Sequence, residues 1–203
     1  MPLPVPAERR HLHTRRVTCQ GFFRNDGLFD IEGRITDEKS YEDSSDFRGN
    51  LDPGDYIHNM WIRLTVDQRM NIVDVEAATD SSPYRICPEV TPSFKKLIGL
   101  RIKGGFHREV KERLGGIHGC THLVELLGPV ATTAYQTINS DMASDLREQW
   151  EAASRPRDTG PHKSAADKPI RPPSVLNTCH AWRADGEVVE RWAPDFYTGA
   201  RSA

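Results

Sequence analysis

Asn25-Asp26-Gly27-Leu28-Phe29-Asp30-Ile31-Glu32-Gly33-Arg34-Ile35-Thr36 is the stretch whose reading decides the fold. Asp26-Gly27 signals a tight hairpin turn, because such a turn needs positive φ in its middle. Beyond it, Phe29, Ile31, Gly33 and Ile35 share one parity, and Leu28, Asp30, Glu32, Arg34 and Thr36 share the other. A period of two marks a half-buried strand, and the first set is its core face. Before the turn, Val17-Thr18-Cys19-Gln20-Gly21-Phe22-Phe23-Arg24 is β-prone and supplies the partner strand.

The same reading extends outward. Residues 37–55 are acidic, glycine-bearing and poor in apolar side chains, so they read as a long connection. A second hairpin follows. Tyr56 to Val66 places His58, Met60, Ile62, Leu64 and Val66 on one face, and Ile57, Asn59, Trp61, Arg63 and Thr65 on the other. Asp67-Gln68-Arg69 turns the chain into a strand over Met70 to Thr79. There Val73, Val75 and Ala77 form the apolar set, which turns Asp74 and Glu76 away from the main core. Helices are expected at 92–99, at 106–114 (ended by Gly115-Gly116) and at 121–150, with an interruption near Gly128-Pro129. Five prolines in 155–174 read as a linker. Val175–Trp182 and Glu187–Trp192 flank Ala184-Asp185-Gly186 and read as a third hairpin. The expected fold is α+β: an antiparallel sheet built from hairpins, with helices packed on one face. The main domain spans 14–154, and the hairpin at 175–192 completes or covers it.

Composition removes several classes of function. Lys and Arg total 27 and Asp and Glu total 29, a net charge of −2, which gives no long-range pull toward nucleic acid or anionic lipid. The basic residues between Lys95 and Arg113 alternate with Glu109 and Glu112 on helical faces and form no nucleic-acid patch. No apolar run is long enough to span a membrane. The N-terminal stretch lacks the apolar core of a secretion signal, so a cytoplasmic location is expected. Cys19, Cys87, Cys120 and Cys179 form no CxxC pair. Gly104-Gly105 and Gly115-Gly116 fit neither GxGxxG nor a P-loop, so no nucleotide cofactor is expected.

DGLFDIEGRITDEK, HNMWIRLTVD, IVDVEAATDSSPY, LGGIHGCTHLVELLGPVATTAYQT and CHAWRADGEVV together resemble a bacterial family of unknown function, DUF2889, over residues 13–192. The resemblance implies an association with the breakdown of aromatic compounds and lipids, hence a small aromatic molecule as partner. In layout the middle of the chain is similar to iron–sulfur scaffold proteins of the IscU/NifU type. They place a loop cysteine after a strand, as Cys87 stands here, and another cysteine entering a long helix, as Cys120 does. The 37–55 connection departs from them: it holds no cysteine where that family carries a ligand-bearing turn.

Cys120-Thr121-His122 is the sharpest local feature. A thiol at a helix N-terminus gains from exposed amide donors, and thiol plus imidazole suit Zn²⁺ or iron. Residues two apart do not face each other within a helix, so the pair converges only if Cys120 is the cap. Cys87, Cys120, His122 and His180 allow a tetrahedral set by composition. Acid–base chemistry is the other reading. His58 on an apolar strand face suits a general base, with His122 as the alternative, and Glu76 would orient it. Arg34 would hold a carboxylate or phenolate oxygen, and Tyr84 would donate to a substrate oxygen. Trp61, Tyr56 and Tyr41 offer stacking surface.

Three functions follow as expectations. The first is a lyase that eliminates or cleaves C–C bonds in an aromatic or phenolic compound without a cofactor. The second is a Zn- or Fe-binding protein or metallohydrolase. The third is a non-enzymatic, scaffold-like adaptor. A homodimer is compatible with each.

Overall fold

The computed structural model describes residues 3–45, 47–154, 172–173 and 175–199. It divides into two units, 1–156 and 157–203.

The first unit is an α+β fold. Its main sheet has four antiparallel strands in the order β1 (His13–Phe23), β2 (Phe29–Lys39), β5 (Tyr56–Val66) and β6 (Ile72–Ser81). A small two-stranded ribbon, β3 (Asp43–Ser45) and β4 (Gly49–Leu51), lies within the stretch expected as a connection. The first hairpin closes at Gly27, whose φ is 81°, as the Asp-Gly signal requires. The core face of β2 carries Phe29, Ile31, Gly33 and Ile35, and that parity continues into Asp37, because the strand runs three residues past Thr36. In β5, Met60, Ile62, Leu64 and Val66 are buried on the same side.

Two expectations for the second hairpin are corrected. The partner strand begins at Ile72 rather than Met70, which takes a left-handed conformation at φ 65°. The Asp67 carboxylate holds this turn by accepting the backbone N–H groups of Arg69 and Asn71, each at 2.8 Å. A register shift between Thr65 and Val66 then reverses parity at the strand's start. Ile72 is therefore buried and Val73 exposed, while Asp74 and Glu76 remain off the core face.

Helices cover one face of the sheet. A 3₁₀ helix over Cys87–Leu97 packs on β6, starting earlier than the helix expected at 92–99. α1 (Phe106–Leu114) has the expected bounds, and its first residue follows Gly105. α2 (Thr121–Ile138) lies across β1, β2 and β5. It passes through Pro129, where an interruption was expected, and breaks instead at Asn139-Ser140. There Ser140 Oγ accepts from the Ala143 N–H at 3.2 Å and caps α3 (Asp141–Ser154). Close approach of α2 depends on glycine. A Cβ at Gly33 would meet Val130 Cγ2 at 2.5 Å, and one at Gly21 would overlap the Thr137 side chain.

The second unit corrects the third hairpin. Residues 175–178 form turns, His180–Trp182 a 3₁₀ turn and Glu187–Trp192 a short helix, α4. The physical reason is local. Asn177 takes φ 57° and its side chain accepts the Ala184 N–H at 2.9 Å, while its own N–H goes to the Trp182 carbonyl. These bonds close a compact loop and leave no extended partner for residues 187–192. The linker expected over 155–174 lies outside the described residues except for Pro172 and Pro173.

Candidate metal centre

Three cross-strand neighbours open the site. The register places Arg15 of β1 opposite Asp37 of β2, and Asp37 opposite His58 of β5. All three lie on the helix-covered face, at the end of the sheet where the apolar ladder stops. α2 adds His122 from its first turn and Cys120 from its cap. Cys120 is extended, at φ −104° and ψ 127°, so it stands outside the helix. Its Sγ therefore reaches within 3.9 Å of His122 Nδ1 and 3.8 Å of Met60 Sδ. This is the cap geometry the sequence requires for the pair to converge.

Asp37 is the centre of this group and is only 1% exposed. Its Oδ1 accepts from Arg15 Nε at 2.8 Å and from His13 Nε2 at 3.0 Å. Its Oδ2 accepts from Arg15 Nη2 at 2.9 Å and from His58 Nδ1 at 3.0 Å, with His122 Nε2 at 3.9 Å. Arg15 spans outward, its Nη1 donating to Glu125 Oε2 of α2 at 2.9 Å. The His58 and His122 rings lie against each other, centroids 3.8 Å apart and planes inclined by 33°.

The electrostatics follow from these contacts. Burial would raise the Asp37 carboxyl, but hydrogen bonds from Arg15 and His13 and the guanidinium charge outweigh it and hold it at about 2. Burial pushes the His58 imidazole below its ordinary value, and His122 pushes the same way, against the upward pull of Asp37. Burial likewise lowers His122, helped by the Arg15 charge. At neutral pH the site thus holds an ionised carboxylate and two neutral imidazoles. Neutral imidazole is the form that ligates metals. One ligand atom each from Asp37, His58 and His122 lie within 4.8 Å of one another, which is the one such three-donor group of His, Cys, Asp and Glu among the described residues.

Within the first unit, the other expected residues lie outside this group. Glu76 is 62% exposed and pairs with Lys95 at 2.7 Å, as Asp74 does at 2.8 Å. It faces away from His58 because the two sit on opposite sides of the sheet. Arg34 is also on the uncovered side. Its Nε donates to Asn59 Oδ1 at 2.9 Å, and its guanidinium lies over Trp61 and Tyr56 at 4.6 and 5.5 Å. Of the aromatic surface expected for a ligand, Trp61 and Tyr56 are thus stacked on the protein's own Arg34, and Tyr41 lies under Lys39 Nζ at 5.0 Å. Tyr84 is 68% exposed in the loop after β6. Cys87 opens the 3₁₀ helix at 87–97, and His180 opens the 3₁₀ turn of the second unit.

Asp37, His13 and Arg15 are the residues of this group that sequence reasoning missed. The signal for Asp37 was its parity: it continues Phe29, Ile31, Gly33 and Ile35, so a longer strand places it on the core face. His13 and Arg15 precede Val17, the residue from which the sequence reads as strand, whereas β1 begins at His13.

A family model described as "Protein of unknown function (DUF2889)" matches residues 13–136. The match takes in His13, Arg15, Asp37, His58, Cys120 and His122, and stops short of the final segment that the sequence resemblance took in. No curated protein and no solved structure shows a significant match to the chain. With more than half its length matched, the chain belongs to the DUF2889 family.

Proposed function

We propose that the protein binds one divalent transition-metal ion, Zn²⁺ or Fe²⁺, through Asp37, His58 and His122. The observation that carries this reading is the convergence of two neutral imidazoles and one carboxylate from β2, β5 and α2, with donor atoms within 4.8 Å. Ligands at about 2.0–2.2 Å from a tetrahedral ion stand roughly 3.4 Å apart, a spacing bracketed by the contacts of Asp37 Oδ2 with His58 Nδ1 at 3.0 Å and with His122 Nε2 at 3.9 Å. Two histidines and a carboxylate leave a coordination position open, as in catalytic zinc sites and in non-haem iron oxygenases. The Cys120 thiol, beside His122, is placed to be recruited as a fourth donor or to stay as a soft neighbour. Among the described residues of the first unit, Cys120 is the one cysteine with a contact to His122. That favours a single ion over a cysteine-held cluster.

Untagged protein should carry metal on purification, and metal-free protein should take up one equivalent of Zn²⁺. His58→Ala and His122→Ala should each weaken uptake by about tenfold or more. A folded protein that takes up no ion from Zn²⁺ or Fe²⁺ sinks this reading.

A second reading has its own observation, the Asp37–His58 hydrogen bond. A carboxylate that fixes the imidazole tautomer leaves Nε2 to accept a proton. Lyase chemistry on an aromatic compound would then rest on His58 and His122 alone, with Glu76, Arg34 and Tyr84 outside it. Turnover of aromatic substrates that survives both His58→Gln and His122→Gln would exclude this version.

A further inference from the structure

Asp37 is fully occupied. An ionised carboxylate offers about four lone-pair sites, and here four donors fill them: two from Arg15, one from His13 and one from His58. Three of those donors belong to side chains of β1, which are not in the ligand group. Arg15 takes one site on each oxygen, in the bidentate geometry that makes arginine–carboxylate pairs strong. A metal therefore gains an Asp37 oxygen only if a donor leaves it.

We infer that Arg15 is a resident cation that holds Asp37 in the metal-free protein and competes with the metal for it. This rests on the metal reading of the site and specifies how the site is regulated. The guanidinium balances the buried carboxylate while the site is empty, so the fold tolerates the empty state. When an ion arrives at Oδ2, His58 releases its Nδ1 proton to solvent as that nitrogen turns to the metal, the ion takes over the guanidinium's charge, and Arg15 Nη2, the other donor on that oxygen, gives it up. Glu125 makes the exchange feasible: it already accepts Arg15 Nη1 at 2.9 Å, so the arginine keeps an anion partner when its grip on Asp37 loosens. His13 acts only on Oδ1 and as a single donor, so it occupies one site where Arg15 occupies two. The apparent metal affinity is then the intrinsic affinity reduced by the fraction of molecules in which Asp37 is released.

The competition has a signature that simple charge repulsion lacks. Arg15→Gln removes both the charge and the bidentate grip. Arg15→Lys keeps the charge but cannot hold both oxygens at once. The experiment is a Zn²⁺ titration of the full chain against a chromophoric chelator, with wild type, Arg15→Lys, Arg15→Gln and Glu125→Gln. Folding of each metal-free variant is checked first by circular dichroism. Both Arg15 variants should bind Zn²⁺ more tightly than wild type, Arg15→Gln by roughly tenfold or more. Glu125→Gln should bind more weakly, because the displaced arginine loses its second anchor. Tightening in Arg15→Gln with no change in Arg15→Lys would overturn the competition and leave only charge repulsion. Equal or weaker binding in both would overturn it as well, and would make Arg15 a positioning residue for Asp37. Those results leave the metal site standing. Folded variants and wild type that all fail to bind Zn²⁺ would instead remove the metal reading itself.

Discussion

His58 Nδ1 lies 3.0 Å from Asp37 Oδ2, directly across the β2–β5 ladder. An ionised carboxylate only accepts, so the imidazole donates through Nδ1 and its Nε2 is left for another partner. The alignment comes from register: the pairing that buries Ile35 beside Met60 also sets Asp37 beside His58. The same sheet geometry that builds the core thus builds the site.

Asp37→Asn should be the most damaging conservative change in the molecule. It leaves the Arg15 guanidinium facing an amide whose NH₂ group cannot accept. Because Arg15 is 38% exposed and keeps Glu125, the cost is that of lost hydrogen bonds to a charged group, about 1.5–3 kcal/mol. Urea unfolding should show a lower midpoint with little change in slope, and Zn²⁺ uptake should be lost. A midpoint equal to wild type would show that the carboxylate holds nothing in place.

Stability should fall as pH falls, in two stages. The His58 and His122 values are lowered on folding, so the unfolded chain binds protons first as pH drops through about 6.5. Their contribution is complete above that value and shrinks below it. The Asp37 carboxyl, held at about 2 in the fold, contributes fully above its unfolded value of about 3.9 and loses this as pH drops further. Denaturant melts from about pH 8 down to about pH 2 should show a declining midpoint, and His58→Gln with His122→Gln should flatten the upper stage. A midpoint that rises on acidification contradicts these directions.

Glu76→Gln should do little. Glu76 and Lys95 are an exposed pair, and such pairs contribute about 1 kcal/mol or less. Zn²⁺ affinity should be unchanged, since Glu76 is on the opposite side of the sheet from His58. A large loss of metal binding in this variant would place Glu76 in the site after all.

Gly33→Ala tests the packing that brings α2, and with it His122, to the sheet. The added methyl would sit 2.5 Å from Val130 Cγ2, and overpacking of this kind costs roughly 1–3 kcal/mol. Thermal unfolding should report the loss, with weaker Zn²⁺ uptake if the helix shifts. An unchanged melting temperature would mean that the α2–β2 contact has room to spare.

The strand parities of Phe29–Ile35 and Met60–Val66 were readable because one buried face imposes a strict period of two. α1 was equally plain, bounded by glycines at both ends. The inward face of His58 followed from strand parity, while the Cys120–His122 contact hung on Cys120 being the cap. The centre of the site did not. Asp37 sits in an acidic run that composition alone reads as a solvated loop, and only long-range pairing with β1 and β5 turns it inward. His13 and Arg15 come from an edge strand with little apolar character, so nothing local marks them as strand. The terminal segment failed for the opposite reason. Its Ala184-Asp185-Gly186 turn signal is real, but Asn177 side-chain and backbone bonds use the groups a hairpin would have paired.

Calorimetric titration of metal-free, untagged protein with Zn²⁺ tests the central claim most directly. The account predicts one ion per chain at micromolar affinity or tighter, that is about −8 kcal/mol. It predicts at least a roughly tenfold loss in His58→Ala and in His122→Ala, and no loss in Cys87→Ser. Binding weaker than about 100 µM, or binding that ignores both histidine substitutions, would contradict it.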